Sequence, residues 1–179
     1  MLSGIVTISS SCVRDPFPAQ TLLRSLSTLV PGVVNGLLGD LTIACPRGAG
    51  GIGPVADHAG CVLTIGDTLA QAFTRALEPL RHDNVLVMDM RFAAPGGFHL
   101  ELDELLQAGV PRMVMRAESR GLMRRLMPAW GQAAMCIGTR QDFREIVATS
   151  SAEPGPEFLA RRLQRPRVMR SQAMRLSLG

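Results

Sequence analysis

With 179 residues, 46 % of them hydrophobic, the chain is long enough to bury one sizeable core, and its composition calls for no second one. No apolar run approaches the roughly 20 residues that a membrane helix needs, so no transmembrane segment is expected. The net charge of +4 comes entirely from arginine, since lysine is absent, and no aromatic residues interleave the basic ones to stack on bases, so specific nucleic-acid binding is not expected.

The first residues, Met1 to Ile8, carry no basic lead, and Ser9, Ser10 and Ser11 close their apolar stretch. This pattern is that of a first strand, residues 4 to 9, and not of a signal peptide, and it gives a cytoplasmic location as the expectation. Pro18 opens a helix whose apolar positions Leu22, Leu23, Leu26, Leu29 and Val30 share one face, and Pro31 and Gly32 end it. A second strand is expected at Leu41 to Cys45, a short helix at Pro54 to Ala59 and a third strand at Cys61 to Ile65. Asp67 is placed to cap a helix from about Thr68 to Leu80.

The next strand, Asn84 to Met88, is apolar throughout, as suits a central parallel strand covered on both faces, and it runs into Asp89, Met90 and Arg91. Carboxyl ends of strands line the ligand crevice of an open α/β sheet, which makes Asp89 the first residue to suspect. Pro95 to Gly97 forms a loop, Glu101 to Gln107 a short helix, and Arg112 to Arg116 a strand. A helix from about Ser119 to Leu126, a strand near Ala134 to Ile137 and a helix near Arg140 to Val147 follow. Pro154, Gly155 and Pro156 then precede a last helix, Glu157 to Leu163, and a strand at Arg167 to Arg170. The alternation predicts an α/β fold with a mostly parallel sheet and helices on both faces. Residues 1–153 are expected to form one domain and residues 154–179 an arginine-rich extension packing on it. Arg161, Arg162, Arg165, Arg167, Arg170 and Arg175 follow the last acid, Glu157, and fit an anionic partner.

The cysteines Cys12, Cys45, Cys61 and Cys136 lie far apart and form no Cys-x-x-Cys pair, so small buried side chains are expected and neither a zinc site nor a disulfide framework. His58 and His99 have no serine or acidic partner at a recognisable spacing. Gly48, Gly50 and Gly53 satisfy Gly-x-Gly-x-x-Gly after a predicted strand, with Asp67 near the distance of a ribose-binding acid. This gives one functional reading, an NAD-type dinucleotide-binding oxidoreductase built on the Gly48–Gly53 loop.

The other reading comes from segments taken together: Thr28-Leu-Val-Pro-Gly-Val-Val-Asn-Gly-Leu-Leu-Gly-Asp40, Val55-Ala-Asp-His-Ala-Gly-Cys61 and His82-Asp-Asn-Val-Leu-Val-Met-Asp89. In their order and register these resemble family-2 glycosyltransferases of the GT-A type. The resemblance implies a GT-A-like nucleotide-sugar-binding domain, an inverting transfer from a nucleotide-sugar donor to an acceptor, and a divalent Mn or Mg ion held by an Asp-x-Asp motif. That motif falls on Asp89-Met90-Arg91, leaving Asp89 as its single metal-ligating acid and Arg91 as a cation suited to the donor diphosphate. The acid that helps to hold the base falls on Cys45. The acceptor motif falls on Gly131 to Cys136, with Gln132 retained and Gly131 in place of the acid; Glu118 and Asp142 are the nearest other carboxylates in sequence. The nucleotide-sugar site implied is therefore Asp89, Arg91, Cys45 and Gln132, in an active transferase, in a catalytically degenerate derivative, or in a non-catalytic interaction protein.

Overall fold

In a computed structural model, which describes residues 1–14, 16–118 and 131–176, the elements alternate as expected. They are β1 (Leu2–Thr7), α1 (Pro18–Ser27), α2 (Val30–Val34), β2 (Leu38–Pro46), α3 (Ile52–His58), β3 (Val62–Gly66), α4 (Leu69–Ala76) and β4 (Asn84–Asp89). β5 (Phe92–Ala93), α5 (Phe98–Gln107), β6 (Met113–Ala117), β7 (Ala133–Thr139), α6 (Arg140–Ala148), α7 (Pro156–Arg162) and β8 (Arg167–Arg175) follow. The helix expected at Ser119 to Leu126 lies outside the described residues.

The eight strands form one sheet in the order β3-β2-β1-β4-β7-β6-β8-β5. β3, β2, β1 and β4 are mutually parallel, β7 runs antiparallel between β4 and β6, β8 is parallel to β6, and β5 is antiparallel to β8. The sheet is thus mostly parallel, and its pleat sends alternate residues to two cores. Val6, Ile43, Leu86, Met88 and Met113 pack with Leu22 and Leu26 of α1 and Phe98 and Leu102 of α5. Ile5, Ala44, Val85, Val87 and Cys136 pack with Phe73 of α4, Phe143 of α6 and Leu159 of α7. Helices therefore cover both faces.

Two local expectations need correction. The first helix does not run through Val30: it stops at Ser27 and a separate short helix, α2, starts at Val30. Pro31 has no N–H to return to Ser27, so the ladder breaks there, and the proline settles in the first turn of the next helix. The cap of α4 is Thr68, whose hydroxyl accepts from the Gln71 N–H at 3.2 Å, whereas Asp67 stands one residue too early. Gly66, just before, lets β3 run hard against α4, because a Cβ there would lie 2.6 Å from the Ala72 amide nitrogen.

The arginine-rich end enters the sheet. β8 pairs along β6, while α7 packs on β7. A bulge in the β6–β8 register frees the amides of Arg170 and Ser171, and both donate to the Glu101 carboxylate of α5, at 2.6 and 2.8 Å. The Arg170 side chain also ion-pairs with Glu101 and Glu104. Burial opposes ionisation of Glu101, but the hydrogen bonds from Ser171 and Arg170 more than offset it and leave the carboxyl below its ordinary range. Because the folded value is depressed, this contribution is fully present above the unfolded carboxyl range and drains away as pH falls through it to the folded value. Glu101→Ala should lower unfolding stability at neutral pH by about 1–3 kcal/mol. The gap from wild type should narrow in urea melts between neutral pH and pH about 3.

Candidate functional site

The central strand β4 ends in Asp89, whose register partner is Thr7, the last residue of β1. The Thr7 hydroxyl donates to the Met88 carbonyl, and the Met90 amide to the Thr7 carbonyl, so the two strand ends are tied together. Beyond β1 the chain turns through Ser9, Ser10 and Ser11 into a single 3-10 turn at Cys12–Arg14. The antiparallel β7 starts at this same end of the sheet. With Met88 opposite Met135, its first residue, Ala133, and Gln132 before it extend past Asp89. α6 then returns the chain to this end, where residues 153–158 complete a cleft of about 330 Å³. Ser9, Asp89, Arg91, Gln132, Glu153, Glu157 and Arg161 supply its polar side chains.

Asp89 is 4 % exposed, and Arg91 satisfies it completely. The Arg91 amide donates to Oδ1 at 2.9 Å, Nε reaches Oδ1 at 3.0 Å and Oδ2 at 3.1 Å, and Nη2 reaches Oδ2 at 2.5 Å. These hydrogen bonds hold the guanidinium even more firmly protonated than usual. Nη1 is left at the outer edge, 3.5 Å from the Ser11 hydroxyl. The two residues share one short turn, so the pair forms at little cost in chain entropy and neutralises a carboxylate that burial would otherwise penalise.

Glu153 and Glu157 are acids that the sequence did not single out. Ser10 donates to Glu153 across the rim. Glu157 accepts from the Ala133 amide through Oε2 and from Arg161 Nε through Oε1, the latter at 2.8 Å. Arg116 of β6 joins this group, with Nη1 2.7 Å from the Gly131 carbonyl and 3.8 Å from Glu157 Oε2. Arg91, Arg116 and Arg161 thus face Asp89, Glu153 and Glu157. The only sequence signal for the two glutamates was the Pro154-Gly155-Pro156 break, which marks a turn without saying where it packs.

Of the residues expected in the site, Asp89, Arg91 and Gln132 come together in the cleft. Cys45 does not join them: it is buried in the α1 and α5 core, its Sγ lies 3.2 Å from the Pro46 carbonyl, and burial pushes its thiol up to about 11. Asp142 lies at the opposite end of the sheet, because Thr139 pairs with Asn84, the first residue of β4. There it closes a capping box with Thr139 and takes a forked pair of hydrogen bonds from Arg112, which hold its carboxyl below the ordinary range. Glu118 is exposed, and its amide donates to the Ala173 carbonyl. His58 is exposed, with Nδ1 2.8 Å from the Pro54 carbonyl, and His99 packs edge-on to Phe98. The Gly48–Gly53 loop follows β2 with left-handed turns at Gly48 and Gly51, and it leads into the seven-residue α3. Asp67 is exposed and ion-paired with Arg47 at 3.0 Å.

The residues present do not fit a divalent ion. Hard cations need several oxygen ligands with free lone pairs, and both oxygens of Asp89 already accept from Arg91. Among the described residues no three His, Cys, Asp or Glu side chains gather to hold a metal. Nor is any helix among them long and apolar enough to cross a membrane. A larger hollow of about 730 Å³ lies on the outside of α4 and α6 and is lined by residues of these helices, such as Thr74, Arg75 and Arg144, and of the turn after α4, with no strand residue among them.

If Arg91 neutralises Asp89, its removal strands a buried carboxylate. Arg91→Ala should destabilise the fold by about 1–3 kcal/mol, scaled down from a fully buried pair because Arg91 is 29 % exposed. Adding Asp89→Asn to it should restore most of that loss in chemical denaturation.

No protein-family model matches the sequence, and no curated protein matches it either. Solved structures do match in fold. 4-Diphosphocytidyl-2C-methyl-D-erythritol synthase from Anaerococcus prevotii is 12 % identical with a TM-score of 0.64, over 94 % of this chain and 87 % of that one. Glucosyl-3-phosphoglycerate synthase from Mycobacterium tuberculosis, solved with phosphoglyceric acid, is 13 % identical with a TM-score of 0.65, over 99 % of this chain and 73 % of that one. A nucleotidyl transferase from Methanothermobacter is 12 % identical with a TM-score of 0.59, over 98 % and 87 %. At such identities the likeness is one of architecture, and on it the chain has the GT-A-like, Rossmann-like fold of the glycosyl and nucleotidyl transferases.

Proposed function

We propose that this chain binds the nucleoside diphosphate part of a nucleotide-sugar at the joined ends of β1 and β4 and transfers the sugar slowly, without a metal ion. The observation that carries this reading is the Asp89–Arg91 pair. Nε and Nη2 of Arg91 are spent on Asp89, which leaves Nη1 as a fixed donor at the cleft edge beside Ser11. A fixed N–H donor on a cation suits a phosphate oxygen, and the resemblance aligns Asp89-Met90-Arg91 with the family's metal-binding motif. Gln132 lies toward the acceptor. A glucosyl-3-phosphoglycerate synthase of this fold has been solved with Mn2+, UDP and glucosyl-3-phosphoglycerate, which supports a nucleotide and sugar ligand for this crevice. Slow transfer follows because one guanidinium, half-neutralised by Asp89, offsets less of the leaving group's charge than a divalent ion.

A second reading has support in the fold, which the diphosphocytidyl synthase and the nucleotidyl transferase share. In that reading the ligand is a nucleoside triphosphate and the group transferred is the nucleotidyl group.

Thermal melts with UDP, UDP-glucose, CTP and NAD, each with and without Mn2+, test both. UDP and UDP-glucose should raise the melting temperature equally with and without Mn2+, by an amount set by occupancy of the native state. The shift should vanish in Arg91→Ala and survive in part in Arg91→Lys. Stabilisation by NAD alone, or only in the presence of Mn2+, would sink the metal-free nucleotide-sugar reading, and stabilisation by CTP alone would select the nucleotidyl one.

A further inference from the structure

Sugar transfer with inversion needs a carboxylate to take the acceptor's proton, and the chain has Gly131 where the resembled acceptor motif carries its acid. The fold brings another carboxylate to that place. Arg116 Nη1 touches the Gly131 carbonyl and the Glu157 carboxylate at once, at 2.7 and 3.8 Å. Glu157 also accepts from the amide of Ala133, the residue after Gln132. Its side chain is 30 % exposed and lines the same cleft as Asp89 and Arg91. We infer that Glu157 is the general base of the transfer, an acid supplied by the first turn of α7 in place of the one missing at position 131; this rests on the nucleotide-sugar reading.

The other acids of the cleft are less suited. Both oxygens of Asp89 are held by Arg91, and Glu153 is exposed and bonded to Ser10 at the rim. On Glu157 the Ala133 amide and Arg116 hold Oε2, while Oε1 is paired at 2.8 Å with Arg161, a surface side chain 75 % exposed. One oxygen fixes the group, and the other opens to the cleft when Arg161 turns away into solvent, a release that the 4 % exposed Asp89 does not have. In the step, an acceptor hydroxyl or a water gives its proton to Glu157 as its oxygen bonds to the anomeric carbon. The bond from that carbon to the diphosphate oxygen breaks, and the nucleoside diphosphate leaves with the electron pair against Arg91.

Release of nucleoside diphosphate from UDP-glucose, GDP-mannose and dTDP-glucose, with water as acceptor, gives the readout, and calorimetry on the same three donors gives binding. Glu157→Gln keeps an oxygen for the Ala133 amide but cannot take a proton. It should lower kcat by about 10²–10³-fold with KM and melting temperature near wild type, and the rise of rate with pH should disappear. Glu157→Asp should keep that rise and recover part of the rate. Equal kcat in wild type and Glu157→Gln would overturn the assignment, as would a fall in kcat matched by loss of binding or of fold. Donor binding by the wild-type chain without any release would overturn the base while leaving the nucleotide-sugar reading intact. Failure to bind any of the three would remove both.

Discussion

Asp89 is a charged group placed where charge is costly, at the end of the central strand with Thr7 beside it and 4 % of its surface exposed. Its partner comes from the same turn. Because Arg91 is only two residues on, its amide and its guanidinium reach one carboxylate together, and the strand end closes as a neutral unit. The rest of the cleft is arranged around that unit: the serine turn after β1 faces the free edge of the guanidinium, and the start of β7 passes beside it. Without Arg91 the carboxylate of Asp89 would be a buried charge with no counter-charge, so Arg91 governs the stability of this end of the sheet.

The second determinant is the direction of β7. A parallel strand beside β4 would bring its far end to the crevice. The antiparallel one brings its first residues, and so puts Gln132 next to Asp89 and Asp142 at the other end. It also makes α6 run back toward the crevice, so that the turn at residues 153–158 arrives with Glu153 and Glu157. Arg116, half-buried on β6 beside the bulge in the β6–β7 register, binds the two sides of that arrival.

Much of this was legible in the sequence. The alternation of apolar runs with amphipathic stretches gave the α/β fold and its two covered faces, because each strand of a doubly covered sheet must be apolar throughout, as Asn84 to Met88 is. Asp89 and Arg91 were legible as polar residues directly after such a run, and Gln132 only through the resemblance of Gly131 to Cys136 to an acceptor motif. Glu157 was not, since its partners Ala133 and Arg116 are set by sheet order and antiparallel pairing, which no local pattern encodes. Cys45 was misleading for the opposite reason. Register with a motif located it on a strand end, but the pleat turns its side chain into the core with Cys12 and Met88, away from the crevice. The helix break at Pro31 and the cap at Thr68 turned on which neighbouring residue met the geometric need of the backbone, a difference of a few residues that composition does not resolve.

A guanidinium in place of an ion also changes what the site can select. A divalent ion recruits two phosphates by shared coordination and holds any ligand that supplies them, whereas a guanidinium with one free nitrogen accepts a phosphate oxygen only from one direction. Direction here is set by the Asp89 carboxylate, which stands at the strand end tied to β1 through Thr7, with the Ser11 hydroxyl on the other side of the guanidinium. If a diphosphate binds here as proposed, binding strength is given up, because the cation is already paired with Asp89, and what remains is orientation. Such a site suits a ligand that is held mainly by contacts elsewhere in the cleft and needs its diphosphate aligned more than attracted. The charges that line the cleft, Arg91 and Arg161 against Asp89, Glu153 and Glu157, leave one acid over, so a diphosphate there has to be placed by directed hydrogen bonds rather than drawn in by the field of the cleft.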